Sequence, residues 1–394
     1  MNKAISPFNV VTFPNIACGA TNGFNGTCYT ASECSAKSGS ASGSCASSFG
    51  VCCVFSIACG ATSSANNSYA IMSSYSTSSE SDPCTYTFCK TNSDVCKLRI
   101  DFDTMELAGP FTIPSPATDE DGQKVGDCGF DTLTISNPGG PTPPTICGTN
   151  PSQHMFLATS SCISINIDID TGTTTTTRKW QIKVSQFDCG SMNAPDQDCL
   201  QYHTAASGTI ASFNWDTSTT TVSSSQLHLS SQFYDICIRR AGSKCAVCFD
   251  PVTATSATAT PAISSSYGVG GSSVAAIQTA AVGSICTGVT TQLAAAYGDY
   301  LEIANLVAPT TAGQVVDTTR ICGAFFNADT TATSHSTACS FAIPFKVGVH
   351  FDSEESILAT TAANLEKSEN DALATLGAGY GYSGFWLNYW QLSC

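Results

Sequence analysis

Charged side chains are scarce in this sequence. They make up 11% of its 394 residues, whereas about 25% is usual for soluble domains. Positive charge is the scarcer sign, since 15 Lys and Arg stand against 30 Asp and Glu and leave a formal net charge of −15. Nucleic acids and anionic membranes are bound by clustered Lys and Arg, so this balance argues against both as partners. The sequence has no run of about 18 apolar residues, and no membrane-spanning helix is predicted.

A recognisable catalytic motif is also lacking. There is no Gly-Asp-Ser-Gly-Gly or Gly-x-Ser-x-Gly around any serine, and no His-Glu-x-x-His. Cys245-Ala-Val-Cys248 has the spacing of a redox or zinc motif, but no second pair or βαβ pattern accompanies it, which favours a structural disulfide. The five histidines are scattered: His154, His203, His228, His335 and His350. We therefore predict that the protein is not an enzyme.

Cysteine, in contrast, is abundant. The count is 22, an even number, and thiols at this density persist as disulfides only in oxidising compartments, which predicts a secreted, extracellular protein. Residues Met1–Pro14 lack the charged and apolar regions of a signal peptide, so we expect that residue 1 is not the start of the precursor. Asn25 in Asn-Gly-Thr and Asn66 in Asn-Asn-Ser are candidate glycosylation sites.

The first six cysteines form a compact group. They lie within 36 residues and end in an adjacent pair: Cys18, Cys28, Cys34, Cys45, Cys52 and Cys53. A segment of fewer than about 40 residues buries too little surface to fold unaided, so it depends on crosslinks worth about 2–4 kcal/mol each. Six cysteines allow 15 connectivities, and the sequence alone does not choose between them.

The other sixteen cysteines belong to two stretches that repeat each other. Trp180–Cys189 and Phe385–Cys394 share their length, an aromatic start and a closing cysteine. The tripeptide Ile146-Cys147-Gly148 recurs as Ile321-Cys322-Gly323, and each follows a segment in which apolar residues alternate after an aspartate. Such alternation predicts β-strands. The two segments contain Asp131, Leu133 and Ile135, and Asp299, Leu301 and Ile303.

Two further alternating segments begin at Cys162 and Cys339, so each stretch is predicted to be all-β. The second stretch contains two interruptions. Residues 251–285 are rich in Ala, Ser, Thr and Gly, which predicts a loop followed by a small-residue strand. Residues 353–376 have an acidic first turn and apolar residues at helical spacing, which predicts an inserted amphipathic helix.

The second stretch also carries four motifs in order: Tyr297-Gly-Asp-Tyr-Leu-Glu-Ile303, Arg320-Ile-Cys-Gly323, Val349-His-Phe-Asp-Ser353 and Gly384-Phe-Trp-Leu-Asn-Tyr389. Together they resemble the second half of a CUB domain, and Gly208-Thr-Ile-Ala-Ser212 resembles the Gly-x-Ile-x-Ser near a CUB start. The resemblance is good over about residues 199–394, and residues 59–189 are similar but more divergent. It implies an all-β chain with two CUB-like antiparallel β-sandwiches, modules that usually mediate protein contacts.

The N-terminal cysteine group resembles a clip domain, whose pattern also ends in Cys-Cys, and the whole arrangement resembles the secreted tandem CUB proteins of arthropods. We accordingly divide the chain into an N-terminal extension (1–17), a clip-like N-terminal knot (18–55), a first unit (59–189) and a second unit (199–394). The resemblance and the repeat imply eleven pairs: Cys18–Cys52, Cys28–Cys45 and Cys34–Cys53; then Cys59–Cys84, Cys89–Cys96, Cys128–Cys147 and Cys162–Cys189; then Cys199–Cys237, Cys286–Cys322, Cys339–Cys394 and the remaining Cys245–Cys248.

Many CUB domains bind Ca²⁺ through one Glu and two Asp side chains, which supply the hard oxygen ligands that this ion prefers. In the second unit the resemblance implies Asp299 and Asp352 as the two aspartates. Their counterparts in the first unit are Asp131 and Asp170, with Glu106 as the glutamate. The alternative is that these carboxylates are solvated in loops or cap turns.

Two segments are predicted to contact other proteins. Alternation in the last strand places Trp386 and Trp390 on the outer face, where they form an apolar partner surface unless the helix 353–376 covers them. The N-terminal segment contributes Phe8, Val10, Val11 and Phe13. This segment either pairs as a strand with the sheet edge of another copy or folds back onto its own domain.

The functional hypothesis is a secreted, non-catalytic structural or adhesive protein whose partners are other copies of itself or extracellular proteins. Its few charges and many crosslinks favour self-assembly into filaments or matrix. One alternative is a soluble recognition or adaptor protein of innate defence or of a protease cascade. Another is a calcium-dependent or carbohydrate-binding protein.

Overall fold

The structure is a computed structural model that describes residues 11–75, 84–111, 126–170, 178–195, 199–222, 226–256, 266–269, 299–309, 315–322, 326–327, 335–352 and 383–394. In these ranges the chain forms antiparallel and mixed β-sheets, with one short α-helix and one helical turn. The all-β fold predicted from the alternating patterns is therefore confirmed. The predicted helix 353–376 and most of the small-residue segment 251–285 lie outside the described residues.

The N-terminal knot is built from four strands, a six-residue helix and the helical turn Ala46–Ser48. The helix begins at a capping box, because the Thr30 hydroxyl accepts from the Glu33 amide while the Glu33 carboxylate accepts from the Thr30 amide. Its disulfides join the three pairs of cysteines that the clip resemblance implies. Its elements are β1 (Ala17–Gly19), β2 (Asn25–Tyr29), α1 (Ala31–Ala36), β3 (Ser40–Cys45) and β4 (Gly50–Ile57).

The first unit consists of two sheets. Its strands are β5 (Thr62–Ser63), β6 (Ser68–Tyr75), β7 (Cys84–Cys89), β8 (Val95–Glu106), β9 (Thr132–Ser136), β10 (Gln153–Ala158), β11 (Cys162–Asp168) and β12 (Arg178–Asp188). One sheet has the order β5-β7-β11-β9. The other, β6-β12-β8-β10, continues into the knot, because β4 pairs in parallel with β6 and extends the order to β1-β2-β4-β6-β12-β8-β10.

The second unit repeats this topology in one curled sheet, whose order is β13-β16-β23-β20-β22-β17-β24-β14, and has a separate two-stranded sheet of β15 and β18. Its strands are β13 (Gln201–His203), β14 (Ser207–Ala211), β15 (Thr221–Val222), β16 (Gln232–Ile238), β17 (Lys244–Pro251), β18 (Thr255–Ser256), β19 (Tyr267–Gly268), β20 (Tyr300–Pro309), β21 (Val315–Ile321), β22 (Ala338–Ser340), β23 (Phe345–Phe351) and β24 (Gly384–Ser393). The run β13-β16-β23-β20 matches β5-β7-β11-β9, and each run starts with a parallel pair.

The core follows from the period-2 patterns. Along β11, Ile163, Ile165 and Ile167 are fully buried, whereas the residues between them are half-buried. The apolar residues of both units form one continuous cluster. One predicted strand is interrupted: the alternation after Cys339 gives two strands, β22 and β23, because Pro344 has no amide for the ladder and the chain leaves the sheet at Phe341–Pro344.

Three further disulfides agree with the expected pairs: Cys59–Cys84, Cys128–Cys147 and Cys199–Cys237. Four expected pairs are wrong. In place of Cys89–Cys96 and Cys162–Cys189 the structure has Cys89–Cys162 and Cys96–Cys189. In place of Cys245–Cys248 and Cys339–Cys394 it has Cys245–Cys394 and Cys248–Cys339. Cys322 is disulfide-bonded, and its expected partner Cys286 lies outside the described residues.

Strand geometry explains these corrections. Cys89 ends a strand of one sheet, while Cys96 lies in β8 of the other sheet, so the chain carries them apart. Cys162 instead lies directly opposite Cys89 on the neighbouring antiparallel strand. Cys245 and Cys248 lie in one extended strand at a separation of three residues, about 10 Å, which is too far for a disulfide.

The two units meet at a junction that is rich in backbone hydrogen bonds. Strand β10, the last strand of the eight-stranded sheet, donates from the Phe156 amide to the Leu200 carbonyl at 2.6 Å. The side chain of Gln153 donates to the Ser212 carbonyl at 2.9 Å. Knot and second unit therefore attach to opposite edges of the sheet that runs through the first unit.

Candidate functional site

The predicted calcium ligand Asp131 lies in a fully buried ion pair. Arg178, at the start of β12, donates from Nε to Asp131 Oδ2 at 2.7 Å and from Nη2 to Oδ1 at 2.8 Å, and both side chains have no exposed surface. The amides of Ala108 and Asp170 also donate to this carboxylate, at 2.6 and 3.2 Å. The backbone of Asp170 thus lies beside the Asp131 carboxylate, and the guanidinium of Arg178 occupies the place that was expected for calcium.

Glu106 does not join this group. Its carboxylate forms an ion pair with Lys179 at 2.9 Å, and both side chains are about two-fifths exposed. Exposed pairs of this kind contribute little to stability. Its assignment as a calcium ligand of the first unit therefore has no support in the geometry, because the side chain is engaged at the surface.

The second unit repeats half of this arrangement. The Asp352 amide donates to Asp299 Oδ1 at 2.8 Å, as the Asp170 amide does to Asp131. The other oxygen of Asp299 lies 3.1 Å from Nε2 of His228, and both of these side chains are buried. Among the described residues, no group of three or more His, Cys, Asp or Glu side chains is arranged to hold a metal ion.

Sequence reasoning missed Arg178 and His228, the two groups that face the aspartates. A signal for Arg178 was present, since it is the first charged residue after Asp170 and follows an uncharged run at 171–177. A buried aspartate needs a donor set that neutralises it, and an arginine at the start of the next strand can supply one.

Trp386 is not the outer-face interface residue that alternation predicted. It is 9% exposed and packs in a small cluster with Trp215, Val222 and Ala254, supplied by the segments that flank β15 and β17. Those segments, whose covering role the sequence did not reveal, bury the outer face of β24 at this point. Trp390 lies four residues further along β24, on the same face, and is half-buried.

The N-terminal segment is described only from Val11 onward, and Phe8 and Val10 lie outside the described residues. Val11 is 48% exposed. Phe13 is half-buried and packs over Gly50, so closely that a Cβ on this glycine would meet the Phe13 ring at 2.8 Å. The described part of the segment therefore contacts the knot at Phe13.

The two glycosylation candidates differ in their surroundings. Asn25 is exposed on β2. Asn66 is half-buried in a turn, and its Oδ1 accepts from the amides of Asn67 and Gln186 at 2.9 and 2.8 Å. It lines a polar groove of about 580 Å³ between the knot and the first unit.

The second unit exposes an aromatic row that crosses three strands. Tyr300 of β20 stacks on His350 of β23 with ring centroids 4.6 Å apart, and the Arg320 guanidinium lies 4.4 Å above the Tyr300 ring. Phe233 of β16 is 59% exposed beside His350. Burial lowers the pKa of His350, against the opposing effect of Glu302. Phe341 and Ile343, in the loop after β22, are equally exposed, at 59% and 58%.

Two buried histidines lie at the junction of the units. Nε2 of His154 lies 2.9 Å from the Tyr202 amide nitrogen and 3.1 Å from the Tyr202 carbonyl oxygen, and the ring of His203 lies 5.0 Å away. Burial, with the nearby Arg99, lowers the pKa of His203 to about 4. The same two causes, together with His203, hold the pKa of His154 well below 6.5.

The comparison with protein families decides the identity of the fold. The model of the animal CUB domain matches residues 196–392, which is half of the chain. The chain belongs to the animal CUB domain family. CUB domains are non-catalytic interaction modules that mediate protein–protein contacts.

No curated protein matches the sequence. Solved structures with CUB domains are similar to it. The CUB1-EGF-CUB2 domains of rat MASP-1 are 10% identical with a TM-score of 0.23, covering 86% of this chain and 99% of that one. Those of human MASP-1/3 are 11% identical with a TM-score of 0.22, covering 82% and 99%. The full extracellular region of zebrafish Gpr126/Adgrg6 is 12% identical with a TM-score of 0.22, covering 86% of this chain and 37% of that one.

The matched CUB segment contains β13 to β24 and therefore the Asp299 site, the aromatic row and the Phe341–Ile343 loop. Within the described residues, no helix has the length and apolar character needed to cross a lipid bilayer. The candidate binding surfaces of this CUB chain are the aromatic row, the Phe341–Ile343 loop and the knot.

Proposed function

We propose that the protein is a secreted, non-catalytic structural or adhesive protein that acts through protein contacts of its CUB domains, and that its copies associate head to tail. The observation that carries this proposal is that two separate sets of exposed apolar residues, one at the knot and one in the Phe341–Ile343 loop, belong to one continuous body. Secretion is supported by the disulfides, since no free cysteine is found among the described residues.

The body is continuous at both connections. Between knot and first unit, β4 and β6 pair through Phe55 with Ser68 and Ile57 with Ala70, and the Tyr69 hydroxyl accepts from the Asn25 amide at 2.8 Å. Between first and second unit, the Asn214 amide donates to Asn150 Oδ1 at 2.7 Å, next to the bonds of β10. Paired strands and buried hydrogen bonds favour a fixed geometry, which a regular assembly requires.

One apolar surface belongs to the knot. Phe49 of the knot is 63% exposed, and Ile16 and Val11 of the extension that precedes the knot are 61% and 48% exposed. The other surface is the Phe341–Ile343 loop of the second unit. Both ends of the curled sheet contact the first unit, through β13 and the segment after β14, whereas β22, which leads into this loop, stands in the middle of the strand order.

A contact between two different surfaces is heterologous. Unless its rotation closes a ring, such a contact propagates into a filament. The scarcity of charge supports association, because few like charges keep neighbouring copies apart. Aromatic side chains such as those of Phe49 and Phe341 are enriched in the buried centres of protein interfaces.

The proposal is tested with two surface variants. The loop variant carries Phe341→Ser and Ile343→Ser, and the knot variant carries Ile16→Ser and Phe49→Ser. Met192→Ser is the control, since Met192 is 82% exposed but belongs neither to these two surfaces nor to the aromatic row. Sedimentation velocity over a concentration series should show large particles for the wild type and the control, and monomers for each variant alone.

Mixing the two variants tests the head-to-tail mode. Each variant retains one intact surface, and the two intact surfaces are complementary, so an equimolar mixture should give dimers that do not grow. A wild type that sediments as a monomer at all concentrations would contradict self-association and would fit the adaptor alternative.

A further inference from the structure

The calcium position of the first unit holds a cationic side chain of the chain itself. Asp131 offers two carboxylate oxygens, and four donors fill them: Nε and Nη2 of Arg178 and the amides of Ala108 and Asp170. A carboxylate accepts about four hydrogen bonds, so no lone pair remains for an ion. A calcium ion would have to approach these oxygens to about 2.4 Å, where the guanidinium nitrogens already lie at 2.7 and 2.8 Å.

The positive charge of the surrounding donor groups also excludes a metal ion at this position. Two amide hydrogens and a guanidinium point their positive ends at the carboxylate, and a divalent cation among them would be repelled. Arg178 additionally donates from Nη2 to the backbone carbonyl of Asp170 at 2.8 Å, a second hard oxygen of the kind that calcium uses. The residues present therefore do not fit a calcium ion.

We infer that Arg178 replaces the calcium ion in the first unit. Its guanidinium neutralises Asp131 and connects three segments: the start of β9 at Asp131, the turn after β11 at Asp170 and the start of β12. A bound ion at this position would make the same three connections. The first unit is thus folded and held together independently of calcium, although its aspartates occupy the positions that the CUB pattern uses for the ion.

The second unit shows which part of the arrangement is shared. Asp299 receives the corresponding amide from Asp352, but its other oxygen faces the imidazole of His228 rather than a guanidinium. The amide contact is thus common to both repeats, and the group that faces the aspartate is specific to each. Calcium is therefore replaced by a side chain in the first unit, where four donors fill the acceptor positions of the Asp131 carboxylate.

The test measures calcium binding by isothermal titration of the full chain with CaCl₂. Wild type and Asp131→Asn should bind the same number of ions per chain, whatever the second unit contributes. Loss of one ion in Asp131→Asn would overturn the inference. Asp299→Asn serves as a background in which the aspartate of the second unit no longer contributes a carboxylate.

A variant that gains a calcium site gives the more decisive test. Arg178→Gln removes the guanidinium beside the oxygens of Asp131 and Asp170, and this variant should bind one additional calcium ion and gain thermal stability when CaCl₂ is added. The double variant Asp131→Asn/Arg178→Gln should lose that gain. Arg99→Gln, which breaks an ion pair with Asp101 at the partly exposed face of β8, is the control and should gain nothing. If Arg178→Gln folds and binds no additional calcium, Arg178 does not stand in for the ion.

Discussion

At the residue scale, the behaviour of Asp131 follows from complete burial. A carboxylate without exposed surface is tolerated only when donors satisfy it, and Arg178 supplies two of the four. Single and double substitutions of this pair therefore differ in their effect on stability. Removing one partner leaves an uncompensated buried charge, whereas replacing both partners by neutral groups of similar shape leaves none.

We expect Arg178→Met to lower the free energy of unfolding of the first unit by about 3–5 kcal/mol, because it leaves Asp131 buried without its cation. Asp131→Asn/Arg178→Met should recover a large part of this loss. Lys179→Met is the matched control at the next position, where the exposed pair with Glu106 is worth at most about 1 kcal/mol. Chemical denaturation followed by fluorescence measures all three, and equal losses for the Arg178 and Lys179 variants would contradict the buried-pair account.

The junction histidines predict an acid-sensitive stability. His203 has a pKa of about 4 in the folded chain and about 6.5 when unfolded, because burial disfavours its charged form. The unfolded state therefore binds more protons as the pH falls from about 6.5, and the folded state is destabilised progressively until about pH 4. The full penalty from His203 is about 3 kcal/mol, since each unit of pKa difference corresponds to about 1.4 kcal/mol.

Carboxylates also titrate in this range, so the measurement compares two chains. The free energy of unfolding of wild type and His203→Asn should be followed from pH 7 to pH 4. The wild type should lose more stability than the variant, because both chains carry His154 but only the wild type carries the His203 imidazole. Parallel curves would show that His203 does not contribute to the pH dependence.

At the element scale, the knot owes its shape to the close approach of β2 and β4. Gly26 of β2 faces the Cys53 carbonyl, and a Cβ at this position would lie 2.5 Å from that oxygen. The obstacle is backbone, which cannot rotate away as a side chain can. Residue 26 therefore has to be glycine for the two strands to pair at Thr27–Cys53 and Cys28–Cys52.

Gly26→Ala should destabilise the knot by about 1–3 kcal/mol. Gly19→Ala in the adjacent strand β1 is the control, because a Cβ there meets nothing within 4 Å. Secretion yield and melting temperature of the two variants report the difference. If both variants behave as the wild type does, the register between β2 and β4 is not the one described.

Strands were more predictable than the connections between them. The period-2 patterns around Ile163–Ile167 and Trp180–Val184 predicted β11 and β12, since alternate burial depends only on local spacing. The partner of Cys89 could not be read from spacing, because it depends on β11 returning beside β7 after more than 70 residues. The local sequence likewise could not show that Trp215 covers Trp386, as the covering segment is more than 150 residues away.

The site was partly predictable for the same reason. The repeat predicted that Asp131 and Asp170 lie close together, because Asp131 directly precedes β9 and Asp170 follows β11. The nature of the neighbouring cation was not predictable, because Arg178 comes from β12 and His228 from the segment before β16. Shared topology predicts where backbone ends meet, but it does not predict which side chain fills the space between them.

At the scale of the whole molecule, the knot, the first unit and the second unit form one body. Strand β4 belongs to both the knot and the first unit, and β10 joins the first unit to the second. Knot and second unit attach to opposite edges of the shared sheet. The association that we propose, between the knot of one copy and the Phe341–Ile343 loop of the next, would be polar, with every copy oriented in the same direction.

Electron microscopy of the native protein over a concentration series shows directly whether its copies associate head to tail. The account predicts filaments of uniform polarity that repeat with one chain per subunit, in which the knot of each copy contacts the Phe341–Ile343 loop of the next. Separate monomers at every concentration, or closed two-fold dimers in which the same surface meets itself, would contradict it.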